Sequence, residues 1–497
     1  MEIPELAGGP RTYRMHIDGE SVVGHSDERI AVTYPYTGET WATVPDGEST
    51  DVDAAVAAAR QCYESGAWQS LTATDRGELL YTLAEELEEH VDELGRIGTL
   101  SNGKLHREMH AQAADLPKWY RYYAGLADKV GGETLPVEDE RMFNLTLREP
   151  YGVVGAITPW NSPLMLLTYK LAPAIAAGNT VVVKPSEVTP VSAIRLAEIA
   201  TDAGFPPGAF NVVTGAGETG RALTEHDDVD KVAFTGGTEA GRAVGASAGE
   251  RVRPVTLELG GKSANIVFPD ADLETAVTGV VKGIFAATGQ SCVAGSRLLV
   301  HEDIREEFVD RLVERAETIE LGDPFDEDSQ MAPVATERQA RKIETYIQLG
   351  HEEGATLATG GERRTVGPCD RFVSPTVFTD VTNGMRIARE EIFGPVLSVL
   401  SFETESEALE IANDSPFGLA AGVWTNDLRR GVRLSRELET GVVWVNTYRK
   451  SSFTTPFGGY KQSGVGREKG TEAIGEYLQT KSVWIETEGT MSDPFTL

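Results

Sequence analysis

Cysteine is scarce: the 497-residue chain holds three, Cys62, Cys292 and Cys369. An odd number with no CxxC spacing speaks against a disulfide framework and a structural zinc site, no metal ligand set is expected, and a reducing, cytoplasmic compartment fits best. Basic residues are also few, 45 Lys and Arg against 77 Asp and Glu, giving a net charge of −32. Such a chain repels phosphate backbones and anionic lipid surfaces, and no block of Lys or Arg supplies a local basic stripe, so nucleic acid is not an expected partner. Long apolar runs are missing too. The longest, Val153 to Val183, is interrupted by Pro159, Asn161, Pro163, Lys170, Pro173 and Asn179, which disqualifies it as a membrane span. The segment Met1 to Glu20 carries Glu2, Glu5 and Asp18 without a basic start and apolar run, so no secretory leader is expected.

What is present is a chain long enough for about two to four domains. Its cations are lopsided, 13 Lys to 32 Arg, and its carboxylates are spread over almost every segment. That composition resembles proteins of salt-loving archaea, where dense surface carboxylates maintain solubility, with an ordinary acidic cytosolic protein as the alternative. From Asp51 to about Ala127 apolar residues recur at three and four, with Thr50 or Asp51 as the first cap, one long helix over LLYTLAEELEEHVDELGRIGTL and Gly103 as its stop. Val130 to Pro150 loses that period and reads as a protruding ribbon, with Phe143, Leu145 and Leu147 on one side. From Gly152 short apolar strands alternate with helices, VVGAI, a helix over Pro163 to Ala177, TVVV, a helix from Pro190 to Ala203, FNVV and KVAF. A second alternating region follows from SANIVF, through a helix at Asp272 to Ala287, to GVVWVN. The fold class is therefore α/β, two units of parallel strands with right-handed crossovers, and ligands are expected at the carboxyl ends of the strands. The segment Tyr477 to Ile485 alternates like one more strand, to pair with the ribbon or with another subunit.

Several segments carry chemistry. TGQSCVAGSR sets Cys292 between Gly289 and Gly295 among small polar neighbours, where a cysteine can serve as a thiolate nucleophile; a buried inert thiol is the alternative. LELGGK sets Glu258 between two leucines, and desolvation there raises its pKa toward general-base duty on water; a strand-end Glu paired with Lys262 is the alternative. TPWNSP holds Asn161 between prolines as a rigid amide donor for an oxyanion, or as a turn Asn. VVVKPSE places Lys184 and Glu187 just past a strand, where they can hold a ribose, the acidic residue favouring NAD over NADP. KVAFTGGTEAG brings Gly236, Gly237 and Gly241 to a helix start, so backbone amides can approach a pyrophosphate although the usual G-x-G-x-x-G is absent. EEIFGPV offers Glu391 and Phe393 to a ribose and a nicotinamide. Each of these three also has an ordinary structural reading.

Taken jointly, TPWNSP, KPSE, FTGGTEAG, LELGGK, GQSCVAGSR, EEIFGPV and PFGGYKQSGVGRE, in this order along the chain, resemble the aldehyde dehydrogenase superfamily, most closely its hydrolytic, NAD-linked class of betaine-aldehyde and semialdehyde dehydrogenases. The resemblance implies two Rossmann-type α/β domains and a β-ribbon oligomerisation element. It divides the chain into a cofactor domain at 1–129 and 151–260, a catalytic domain at 261–455, and bridging segments at 130–150 and 475–497 that build a homodimer or homotetramer. It implies Cys292 as nucleophile, Asn161 with the Cys292 N–H as oxyanion site, Glu258 as base, and Lys170 and Glu468 as a proton relay. NAD, with NADP as the alternative, would contact Ile157, Thr158, Pro159, Trp160, Lys184, Ser186, Glu187, Gly217, Phe234, Gly236, Gly237, Leu259, Glu391 and Phe393. A small aldehyde would meet Leu166, Tyr169, Ser291, Val293, Arg449 and Phe453.

Two departures stand out. Gly237 takes the place of a family Ser that touches the pyrophosphate, and the loop NTYRKSSFTTPFGG lacks the family's aromatic residues and carries Arg449 and Lys450 instead. Arg449 is expected to pair with a substrate carboxylate, as in a semialdehyde, or else to be a solvated loop Arg. The rival readings are a CoA-acylating relative, which commonly lacks the Glu at position 258, a catalytically silent scaffold, which would lose the nucleophile or base, and a cysteine ester hydrolase, which would not need the cofactor residues.

Overall fold

The computed structural model describes residues 4–6, 8–489 and 493–495. Residues 1–3 and 7 of the segment read for a leader, and 490–492, 496 and 497 of the expected bridging element, lie outside them.

Helix formation begins two or three residues earlier than expected. α1 (Ser49–Glu64) is capped by Glu48, while Asp51 sits at its third position and accepts the Glu48 N–H at 2.9 Å, a reciprocal capping box. The expected single long helix is two, α2 (Ala73–Glu89) and α3 (Val91–Asn102), broken at His90, whose N–H closes the last turn of one helix and whose carbonyl opens the next. Gly103, left-handed at φ 74°, ends α3 as expected, and α4 (His106–Ala127) follows.

The ribbon is strand β1 (Met142–Pro150). Its exposed side carries Phe143 and Leu147, while Asn144 on the other is buried and donates to the Val483 carbonyl at 3.1 Å. Then come β2 (Val153–Thr158), α5 (Pro163–Ala177), β3 (Thr180–Pro185), α6 (Pro190–Asp202), β4 (Phe210–Val212), α7 (Gly217–Glu225), β5 (Lys231–Thr235), α8 (Thr238–Glu250) and β6 (Val255–Glu258). β6, β5, β2, β3 and β4 pair in that order, all parallel. Valine-rich strands covered by helices on both faces are what a parallel sheet requires.

The second unit runs through β7 (Ala264–Val267), α9 (Leu273–Phe285), β8 (Arg297–His301), α10 (Arg305–Glu317), α11 (Glu337–Glu352), β9 (Thr376–Thr379), β10 (Val396–Phe402), β11 (Ala420–Trp424) and β12 (Val442–Val445). β9, β10, β8, β7, β11 and β12 form a second parallel sheet in that order. The chain then returns: β13 (Gly464–Val465) pairs antiparallel with β6, and β14 (Leu478–Glu486) pairs with β1 over its whole length. No helix among the described residues is long and apolar enough to cross a membrane.

Gly279, in the middle of α9, lets that helix lie against β11: a Cβ there would stand 2.0 Å from the ring of Trp424, which is itself fixed by a 3.0 Å bond from its Nε1 to Asn265 Oδ1. Helix propensity favours Gly279→Ala by about 1 kcal/mol. Overpacking against a pinned indole costs about 1–3 kcal/mol and wins, so calorimetry should find a lower Tm for the variant.

Candidate active site

The carboxyl ends of β2, β3, β5 and β6 all open toward one side, where ligands of open α/β sheets sit. From the other side, α9 leads into the cysteine loop through an abrupt turn. Ala287 and Thr288 are both left-handed at φ 56°, and Gly289 continues at φ 68°, which is why the expected helix through Ala287 stops at Phe285. Left-handed backbone costs about 1–2 kcal/mol per non-glycine residue. It is held here by Glu108, which accepts the Ala287 N–H at 3.2 Å, and by the Thr288 hydroxyl, which donates to the Ala332 carbonyl at 2.9 Å. The turn delivers Cys292, half-buried, to the floor of a cleft of about 160 Å³.

Pro159, Trp160, Asn161, Leu166, Gly236, Gly237, Glu258, Leu259, Glu391 and Phe393 line the same cleft, all of them singled out in the sequence. The Asn161 amide donates to the Gln290 carbonyl at 3.3 Å, and this fixes its side chain against the cysteine loop. Glu258 is buried, and neither carboxyl oxygen has a hydrogen-bond partner among the described residues. Desolvation, reinforced by the nearby Glu468 carboxylate, holds its pKa well above the usual carboxylate range. Burial likewise pushes the Cys292 thiol up to about 12, with Glu391 and Glu258 adding to the shift and Arg449 opposing it. Behind Glu258, Lys170 pairs with Glu468 and donates to the Thr235 hydroxyl at 2.5 Å.

Toward the first sheet, Lys184 is buried at the end of β3 with its Nζ 3.7 Å from Glu187, and Ser186 lies between them. Gly217 opens α7 and Gly237 caps α8, and a Cβ on either would meet nothing within 4 Å, so both backbones face open space. Phe234 packs its ring beneath Gly236, Ile157 is half-buried, and the buried Thr158 hydroxyl has no partner among the described residues. Glu391 accepts the Gly261 N–H at 3.1 Å, and Phe393, left-handed at φ 61°, meets Trp160 edge to face at 5.4 Å. Buried groups that find no protein partner beside glycine backbones open to the cleft suit a nucleotide's pyrophosphate and riboses.

The sequence model of the aldehyde dehydrogenase family matches residues 22–483. The chain belongs to the aldehyde dehydrogenase family. It is 48% identical over 478 residues to an aldehyde dehydrogenase of Enchytraeus buchholzi, covering 95% of this chain and 96% of that protein. A betaine aldehyde dehydrogenase of Bacillus subtilis is 42% identical over 479 residues, covering 95% and 97%. The NAD+ complex of an aldehyde dehydrogenase from Bacillus cereus superimposes with a TM-score of 0.95 at 43% identity, covering 98% of this chain and 99% of that one.

Of the residues expected to meet the substrate, Ser291 and Val293 flank the cysteine in sequence, and Tyr169 lies tilted against Trp119 with ring centres 4.6 Å apart, Trp119 in turn standing 6.0 Å from Phe453. Arg449 is left-handed at φ 60° and spends Nη1 on the carbonyls of Ala286 at 2.9 Å and Lys282 at 3.4 Å. Five polar residues of the site went unread in the sequence, Thr235 beside Lys170 among them. Gln339 and Lys342, three apart on α11, line the cleft, and Gln339 donates to the Phe393 carbonyl at 3.0 Å. Lys104 and Lys469 are buried and feel the charge of Cys292.

A protonated thiol at neutral pH has a direct consequence. In the cofactor-free enzyme, alkylation by iodoacetamide should start slowly at pH 7 and accelerate about tenfold per unit past pH 9, as the thiolate fraction grows. Cys292 should be labelled ahead of the buried Cys62 and Cys369, and a rate that levels off near pH 7 would refute the raised pKa.

Proposed function

We propose that this chain is an NAD-linked aldehyde dehydrogenase of the hydrolytic class, oxidising a small aldehyde to its carboxylic acid through a thioester on Cys292. The observation that carries this reading is the meeting of Cys292, Asn161 and Glu258 on one floor of a cleft whose far walls are Glu391 with Phe393 and the open glycine turn at Gly237. Residues 1–129 and 151–260 would hold the cofactor and 261–455 the nucleophile. Lys184, Ser186 and Glu187 would take the adenosine ribose, Gly217, Gly236 and Gly237 the pyrophosphate, and Glu391 and Phe393 the nicotinamide ribose, with Thr158 and Trp160 along the cleft. Glu187 repels a ribose phosphate and so favours NAD over NADP.

Cys292 Sγ attacks the aldehyde carbon and yields its proton to Glu258, a stronger base than an ordinary carboxylate because it is desolvated. The oxyanion that forms is held by the Asn161 amide and the Cys292 N–H. Nicotinamide, when bound, supplies the acceptor for the hydride that leaves this carbon. Glu258, relieved of its proton through the Lys170 and Glu468 pair, then deprotonates a water that cleaves the thioester. A Glu at this position favours water over CoA as acyl acceptor, and retention of all three groups speaks against a silent scaffold. Leu166, Tyr169, Ser291, Val293, Arg449 and Phe453 would shape the aldehyde's path.

A free catalytic thiol suits a reducing cytoplasm, and a net charge of −32 suits work in concentrated salt. The exposed Phe143, Leu147, Trp484 and Ile485 on the β1 and β14 ribbon fit burial against a second copy in a homodimer or homotetramer. Leu147→Asp with Trp484→Asp should lower the mass seen in sedimentation equilibrium, and an unchanged mass would reject the ribbon as the contact.

The reaction itself is tested by following reduced nicotinamide with a panel of aldehydes. Cys292→Ala should abolish turnover. Glu258→Gln should reduce the nicotinamide once, more slowly than wild type, and stall at the thioester, with about 10²–10⁴-fold lower kcat and an acyl adduct on Cys292 detectable by mass spectrometry. Undiminished multiple turnovers in Glu258→Gln would overturn its role.

A further inference from the structure

Lys469 lies outside the roles assigned above. It is left-handed at φ 64°, between Glu468 of the relay and Gly470, and this backbone turns its side chain inward, where it is buried. Its ammonium stands 4.4 Å from the ring centre of Phe457, 5.2 Å from Tyr169 and 5.8 Å from Trp119, and donates to the Ser451 hydroxyl at 2.8 Å. No carboxylate lies within ion-pair distance of it among the described residues. The carboxylates that face it make no ion pair with it: Glu468 is paired with Lys170, Glu258 is desolvated with its pKa raised, and Asp115, at the far edge of Trp119, bonds Lys118 and the Trp119 Nε1. Burial lowers its pKa to about 8, so it is still charged at neutral pH. Around the ammonium stand the exposed Ser451, the half-buried Phe457 and the buried Tyr169, so one side of its surroundings reaches toward solvent. In a chain of net charge −32, Lys104, Arg449 and Lys469 each interact electrostatically with Cys292.

We infer that Lys469 is the specificity-determining residue of the substrate path, that it takes the carboxylate at the far end of an aldehyde acid, and that it excludes aldehydes bearing a quaternary ammonium. An ammonium with only a hydroxyl partner gains most from a substrate anion, in a charge-assisted bond strengthened by its dry surroundings. The same aromatic faces would suit a trimethylammonium group. Here they are covered by the protein's own cation, which repels a second one, so likeness to betaine aldehyde dehydrogenases does not extend to this substrate. The inference rests on Cys292 as the nucleophile and on Phe457, Tyr169 and Trp119 as walls of the aldehyde's path.

The experiment compares kcat/KM for succinic semialdehyde, butanal and betaine aldehyde. In the wild type succinic semialdehyde should exceed butanal by about tenfold or more, and betaine aldehyde should fall below butanal. Lys469→Gln should collapse that order through KM, and Lys469→Arg should keep it. A wild type that prefers betaine aldehyde or ranks all three alike, or a Lys469→Gln with the wild-type ranking, overturns the inference. Should Lys469→Gln fail to fold, the wild type decides alone: succinate should slow iodoacetamide labelling of Cys292, and choline should not. That protection is read without turnover. If no aldehyde is oxidised yet succinate protects, the proposed reaction falls and the anion site stands; if aldehydes are oxidised without preference and succinate does not protect, the reverse holds.

Discussion

The loop that carries Cys292 meets its neighbours backbone to backbone. A Cβ on Gly289 would lie 2.1 Å from the Gly394 carbonyl oxygen, and one on Gly261 would lie 2.6 Å from the Cys292 carbonyl oxygen. Only bare backbone lets the end of β6, the cysteine loop and the segment of Glu391 and Phe393 come this close. Glu258, Cys292 and Glu391 belong to three separate stretches of chain, and this contact places them around one volume. Their side chains need no long reach, so little rotamer freedom remains to be lost when a reactant binds.

Close approach also dries the site, and dryness sets its proton chemistry. The same desolvation that raises Glu258 lowers Lys104 and Lys469 to about 8 and Lys262 to about 7. The wide separation between carboxylates and amines in water is therefore compressed toward neutrality. Protons can pass among such groups with small free-energy differences, which suits a cycle in which one carboxyl group takes a proton from a thiol and later another from water. The surface works in the opposite regime. Its many carboxylates are solvated, and exposed pairs such as Arg341 with Glu337 are screened and contribute little individually.

The parts of this fold that were legible in the sequence are those where local and tertiary preferences agree. Pro163 at the first position of α5 and Gly178 in the left-handed cap after it fix both ends of that helix, and it was read to the residue. The valine runs of β2 and β3 were equally plain, whereas the alternation of the Tyr477 segment showed a strand but left its partner open between the ribbon and another subunit, and the structure pairs it with the ribbon. His90 breaks a helix without Gly or Pro and leaves the apolar period intact on both sides, so periodicity runs straight through it. Ala287 and Thr288 take a conformation that neither residue prefers, imposed by Glu108 and Ala332 from distant segments. The site's short polar signatures were visible because their chemistry is carried by adjacent residues. Lys469 was not: Ser451, Phe457, Trp119 and Tyr169 surround it only after folding, and in a row of letters a lysine beside a glutamate reads as solvated.

The return of the chain at β13 bears on assembly order. Val465 and Gly464 complete the edge of the first sheet beside Leu257 and Glu258, and Ala473, Ile474, Tyr477 and Leu478 pack into the same core as β2, β3 and α5. A strand made early thus waits for a segment made some two hundred residues later, across a whole intervening unit. The base and the strand that shields it become native together. During synthesis, the half-built first sheet presents an open edge at the position where Glu258 will be enclosed, and this edge needs protection from wrong partners until the chain is nearly finished.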